Sequence, residues 1–283
     1  MVNKLKKLAT LLNLLVFVFI TSSSAQNTPT NATHLFSISD GISAPLRIAV
    51  KPDGNIYITD SKQNNIVVFD QTYSFLKSFY VGLKPTALAV NSSGELFVGD
   101  SKTGIIYKLD ENDTPTEFST VTLSASSMVF DENDLLYVAD NKLKQVPVID
   151  GSGNLVRSIG FGDLIQPTGI AYDSINDRLL ISEHGGIGPD VGGGMMGGGY
   201  PLTQIWIFDT DGNQLGTIGE GGSDDGQFYR IQGMTVSANG VIYVTDPYQG
   251  QVTLFEDNGI FLNKFGEYGT TSGKLNITKD VTF

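Results

Sequence analysis

The residues able to do chemistry are few. The chain has no Cys and two His, His34 and His184, among 283 residues. His184 opens the stretch HGGIGPDVGGGMMGGGYP (184–201), in which nine of eighteen residues are glycine. Glu183 stands directly before it, and Met195 and Met196 lie within it. Imidazole and thioether ligands suit copper, but a metal site needs its ligands held in place and glycines do the opposite, so no metal is expected there. The stretch also contains a formal G-x-G-x-x-G (192–197). That motif cradles a pyrophosphate only between a strand and a helix. Here strand-like LLIS precedes it and strand-like QIWIF follows. It holds no Lys, so a P-loop is excluded as well.

A second chemical set is a series of acids. GNIYITD (54–60), GELFVGD (94–100), NDLLYVAD (133–140), NDRLLISE (176–183) and GVIYVTD (240–246) end in Asp60, Asp100, Asp140, Glu183 and Asp246. The first three are spaced by 40 residues. A ring of acids could hold a cation. One acid at the same place in every repeat is read instead as a structural cap, accepting N–H bonds in the turn that follows. Glu183 breaks the series and is kept among the binding candidates. The acidic turns at 110–115, 131–134 and 209–212 lack the full D-x-[DN]-x-[DN]-G calcium loop. Weak surface Ca²⁺ is the most they suggest, and no cofactor is expected.

The elements that carry these residues follow from the same repeat. LRIAV (46–50), TALAV (86–90), SSMVF (126–130), TGIAY (168–172) and QGMTV (232–236) precede the acid-ending phrases. NIVVFD (65–70), IIYKLD (105–110), QVPVID (145–150), QIWIFD (204–209) and QVTLFE (251–256) follow them. A less regular fourth phrase closes each unit, and turns such as PDG (52–54) and TDG (210–212) join the strands. Four apolar strands per repeat of about 40 residues predict an all-β fold, a β-propeller of four-stranded blades. Five units are complete. LNITKDVTF (275–283) reads as the inner strand of a sixth blade and HLFSIS (34–39) as its outer strand, which closes the ring. The two middle strands of that blade are expected to be missing, so the sequence reads as C-terminally truncated.

In this register the glycine stretch is a 16-residue insertion between the second and third strands of blade four. It shares a face with the interblade loop GEGGSDDGQFYR (219–230). Together they offer Glu183, His184, Asp190, Tyr200, Glu220, Asp224, Asp225, Tyr229 and Arg230 as the candidate binding surface.

The segments GEGGSDDGQFYRIQGMTVSANGVIYVTD (219–246) and FGEYGTTSGKLNITKDVTF (265–283) resemble NHL repeats. The resemblance covers almost all of 34–283 and implies a six-bladed propeller, on which very different activities occur. The peptidylglycine-type lyases of this fold hold zinc with several His, which two His cannot supply. RNA-binding NHL propellers use a basic face, which an acidic chain opposes. Gluconolactonase-like propellers hold a divalent cation in the central channel with Glu, Asn and Asp. Here the inner strands offer Ala49, Ala89, Ser127, Ile170, Met234 and Val281, and Arg47 is the sole charge in the complete ones. The expected function is a non-enzymatic binding or scaffold propeller that presents one face to a protein, glycan or cell-surface partner. The alternative is a metal-dependent hydrolase or lactonase.

Residues 1–25, with a basic head, an apolar run and small residues ending at Ala25, read as a secretory signal peptide. Residues 26–33 follow as a flexible segment, and 34–283 form the propeller. No membrane span is expected after cleavage. The protein is therefore expected to be extracytoplasmic, held together without disulfides. Sequons stand at Asn31, Asn91, Asn112 and Asn276. The net charge is −12, which repels nucleic acid and favours cations, basic partners or plain solubility.

Overall fold

The computed structural model describes residues 32, 34–184, 203–271 and 274–283. All its regular elements are strands, gathered into five four-stranded antiparallel blades with neighbours in chain order. Blade one is β1 (Pro45–Val50), β2 (Ile56–Asp60), β3 (Asn65–Phe69) and β4 (Phe75–Tyr80). Blade two is β5 (Pro85–Val90), β6 (Leu96–Asp100), β7 (Ile106–Leu109) and β8 (Pro115–Glu117). Blade three is β9 (Ala125–Phe130), β10 (Leu136–Asp140), β11 (Val146–Ile149) and β12 (Leu155–Ile159). Blade four is β13 (Pro167–Asp173), β14 (Arg178–His184), β15 (Thr203–Asp209) and β16 (Gln214–Ile218). A short parallel pair, β17 (Glu220–Gly221) and β18 (Gln227–Phe228), stands before blade five. Blade five is β19 (Met234–Val236), β20 (Ile242–Asp246), β21 (Gln251–Phe255) and β22 (Phe261–Phe265).

Local chemistry sets these strands. The outer hairpins turn on Asp70, Asp110 and Asp150, whose side chains accept the N–H groups two and four residues on. Middle strands such as IYITD and NIVVF are buried throughout, whereas the outer strand FLKSFY is mostly exposed. That difference follows from stacking: the middle strands of blade one are covered by blade two on one face and by the segment around Ile38 on the other. Apolar clusters fill the four interfaces between successive blades. In the connection before blade five, Gly219 adopts φ +71°, and a Cβ there would meet the Phe228 ring at 2.4 Å. The glycine thus lets the loop fold back and seat Phe228 in the core.

The ends of the ring differ from the expectation of two closing strands. Residues 34–39 form no strand beyond a single bridge position at Ile38, and 275–283 have only the bridge Leu275↔Tyr268. A strand needs a ladder partner, and neither segment finds a middle strand beside it. Each instead lies on a blade flank. Ile38 packs on Ile48, Ile58 and Val67 of blade one, and Leu275 on Tyr243, Val252 and Leu254 of blade five.

Arg47 of β1 joins the blades at the axis. Its guanidinium donates to Ser126 O (2.5 and 2.8 Å), Thr168 O (2.8 Å) and Gln232 O (2.9 Å), so blade one is tied to the entries of blades three, four and five. Asp280 supplies the counter-charge at 3.7 Å and also accepts the Ile48 N–H at 3.2 Å. A Cβ on Gly233 would lie 2.3 Å from the Asp280 carboxylate, so glycine makes room for the C-terminal segment between blades five and one. Around this hub, hydroxyls link successive blades: Thr86 to Ala125 O, Ser126 to Pro167 O and Thr168 to Ile231 O.

Replacing Arg47 by Met leaves the carbonyls of Ser126, Thr168 and Gln232 without this donor and Asp280 without its counter-charge. The expected loss is about 3–5 kcal/mol, read as a fall in the urea midpoint. Arg47→Lys keeps the charge without the fork geometry and is expected to fall between the two.

Candidate functional site

The face that carries the interblade loops is built by the repeat acids. Asp60 accepts the N–H groups of Ser43 and Ala44, which enter β1, and of Lys62 and Gln63 in the turn after β2. Asp246 does the same with Tyr229 and Arg230 on one side and Tyr248 and Gln249 on the other. Asp140 holds Ser124, Lys142 and Leu143, and Asp100 holds Lys84, Lys102 and Thr103. Each carboxylate therefore fastens an incoming loop to the turn of the same blade.

Glu183 departs from this pattern. Its carboxylate accepts the N–H groups of Ile165 (2.9 Å) and Gln166, which belong to the incoming loop. β14 and β15 stay paired through Glu183↔Gln204 and His184↔Thr203, and the insertion leaves from the end of that ladder. The electrostatics diverge accordingly. Burial pushes the Asp100 carboxyl up, but the Thr103 hydroxyl and three backbone N–H groups outweigh it and hold it below its ordinary value. Burial of Glu183 outweighs the hydrogen bonds that reach it and holds it above.

Of the nine candidate binding residues, the structure gathers four. The His184 N–H donates to Gln166 O, beside the Glu183 clamp. Thr203, paired with His184, reaches Tyr229 O at 3.4 Å. Burial, and then the Arg230 charge, hold the His184 imidazole below its ordinary pKa. Glu220, Asp224 and Asp225 go elsewhere. Glu220 and the Asp224 N–H bind the Gln227 side chain, and Asp225 pairs with Lys264 on the outer strand β22 at 2.8 Å. Asp190 and Tyr200 lie outside the described residues.

Arg230 turns toward residues the sequence reading left aside. Its guanidinium lies 5.9 Å from the Tyr248 ring centre. The two border a pocket of about 460 Å³ with Gln232, Tyr268, Ile277 and Lys279. A signal existed: Tyr248 stands two residues after its repeat acid, where blades one to three carry Lys62, Lys102 and Lys142.

The inner strands border a smaller well of about 210 Å³ lined by Ile48, Leu88, Met128, Ile170 and Met234, with Asp280 beside them. Among the described residues it offers that one carboxylate, already bonded to Ile48 and paired with Arg47. A divalent cation needs several oxygen ligands, and these residues do not fit one.

No protein-family model and no curated protein matches the chain. Solved structures do. A catalytically inactive virginiamycin B lyase from Staphylococcus aureus with quinupristin is 14% identical, with TM-score 0.60 over 83% of this chain and 73% of that one. A streptogramin B lyase is 15% identical, with TM-score 0.57 over 83% and 86%. A chain of a nidogen/laminin complex is 16% identical, with TM-score 0.63 over 82% of each chain. Likeness at this identity shows the β-propeller fold.

Glu183 sets a pH test. Its folded-state pKa lies above the unfolded value of about 4.3. Its charged form therefore disfavours the fold, and stability declines as pH rises from about 4.3 through the folded value. Glu183→Gln is expected to lack that decline, so wild type gains on the variant as pH falls toward 4. Asp100→Asn is expected to show the opposite trend, because Asp100 contributes stability that is lost as pH falls through its lowered pKa. Thermal melts between pH 3 and 7 read both.

Proposed function

We propose that this chain is an extracytoplasmic, non-enzymatic binding propeller of the six-bladed NHL type. It presents the loop face around blades four and five to a protein or glycan partner. The terminal segments take the sixth position, and 1–25 direct export.

One observation carries the reading. The charged side chains at the axis are consumed by the Arg47 hub, while the loop face keeps Arg230, Tyr229 and Tyr248 at the surface on a backbone fixed by Asp246. Tyr229 is 39% and Tyr248 66% exposed. Tyrosines on a rigid frame provide contact area at low entropic cost. The solved structure of a nidogen/laminin complex includes a propeller of similar fold, which accords with a binding role. Among the described residues, no helix is long and apolar enough to cross a membrane.

The double variant Tyr229→Ala/Tyr248→Ala is expected to weaken capture of the partner by immobilised protein at least about tenfold. Ile175→Ser, on the opposite face, is expected to leave it unchanged. Lactone and ester substrates, offered with Ca²⁺, Mn²⁺ or Zn²⁺, are expected to show no turnover above background. Turnover abolished by a channel substitution would favour the hydrolase alternative.

A further inference from the structure

The pocket beside Arg230 has a chemistry of its own. Cations are scarce in this chain, at 18 Lys and Arg against 30 Asp and Glu. Two of them, Arg230 and Lys279, nevertheless line one pocket. Neither has a carboxylate partner among the described residues. Arg230 Nε is buried and meets no acceptor, although the Arg230 backbone is well held. Burial and the nearby charges of Arg230 and Arg47 hold the Lys279 ammonium below its ordinary pKa. Like charges gathered in a half-buried site raise its free energy, and an anion entering the pocket would offset that cost.

The remaining lining defines what carries the anion. Tyr248 and Tyr268 are 66% and 59% exposed, so two rings stand open at the rim. Ile277 adds an apolar wall and Gln232 an amide. A volume of about 460 Å³ falls within the range for small-ligand pockets. A bare inorganic anion would leave the rings and Ile277 uncovered. A wholly apolar carrier would leave the Gln232 amide unmatched. A saccharide ring has both a C–H face for the tyrosines and hydroxyls for the polar groups. The geometry points to an acidic saccharide, with the carboxylate of a uronic acid seated between Arg230 and Lys279 and its ring against Tyr248 and Tyr268. This inference rests on the binding role of the same face and names its ligand class.

The test titrates the whole chain with a glucuronate-containing disaccharide, the matching neutral disaccharide, and sodium sulfate, by calorimetry at low and moderate salt. Binding of the uronate alone is expected, weakening with salt. Arg230→Gln and Lys279→Gln are each expected to weaken it at least about tenfold. Arg230→Gln keeps the Asp246 clamp, which uses the backbone N–H, and an unchanged thermal melt would verify that it folds. Tyr248→Phe is expected to bind within a fewfold of wild type and Tyr248→Ala to lose most binding, which separates the ring from its hydroxyl. Equal binding of the neutral sugar, or of sulfate, would overturn the assignment. So would uronate binding unaffected by both charge variants. If no saccharide binds but a protein partner is captured and lost in Tyr229→Ala/Tyr248→Ala, the ligand class falls while the binding role stands.

Discussion

The structure turns on one buried guanidinium. Propeller blades converge on an axis where inner-strand carbonyls face one another with no ladder partner. Buried carbonyls left unpaired are costly. Arg47 meets Ser126, Thr168 and Gln232 together, because its fork carries five donors in fixed geometry. A hydroxyl could satisfy only a neighbour, and Thr86, Ser126 and Thr168 do just that from blade to blade. A buried charge is weak evidence for stability, since desolvation can cancel its gain. Its clearer contribution here is arrangement: Asp280 must reach Arg47, and Gly233 must be small enough to admit it. The hub thus fixes the C-terminal segment between blades five and one. It also occupies the axis with a charge pair that is already satisfied.

The acids at the ends of the second strands extend this order outward. Asp60 and Asp246 each collect four backbone N–H groups from two loops, so the loops inherit the rigidity of the sheet. In blade four Glu183 fastens the incoming loop through Ile165 and Gln166, and its carboxyl rises where that of Asp100 falls. One position in the repeat therefore has opposite electrostatics in two blades, decided by the balance between burial of the carboxylate and the hydrogen bonds that reach it.

What the sequence made legible was local. The period of 40, the strand phrases and the hairpin turns are written within a few residues of where they act, and the blades follow from them. Closure was not legible in that way. Residues 34–39 and 275–283 carry strand-like residues but find no ladder, because a strand is a property of a pair. Arg47 and Asp280 stand in the first and last inner segments, and nothing local to either names the other. Arg47 is a lone charge in its inner strand and Asp280 stands beside Lys279, so the pairing has meaning only once the ring is drawn.

The candidate surface divides along the same line. His184, Tyr229 and Arg230 come together because the repeat register places their loops side by side. Asp224 and Asp225 belong to the same loop yet face outward, since the β17–β18 pairing folds it back and Lys264 holds Asp225 at the rim. Lys279 and Tyr268 enter from the C-terminal segment, whose path is set by the hub. Net charge misdirects here as well. A total of −12 suggests a chain suited to cations, but exposed charges are screened over about 8–10 Å in physiological salt. Many acids lie in distant hairpin turns or are saturated by backbone N–H groups. The field inside the pocket is set by what lines it, Arg230 and Lys279, with Arg47 behind them. An acidic protein can therefore hold a cationic site, because the field in a pocket is set within a screening length of its lining.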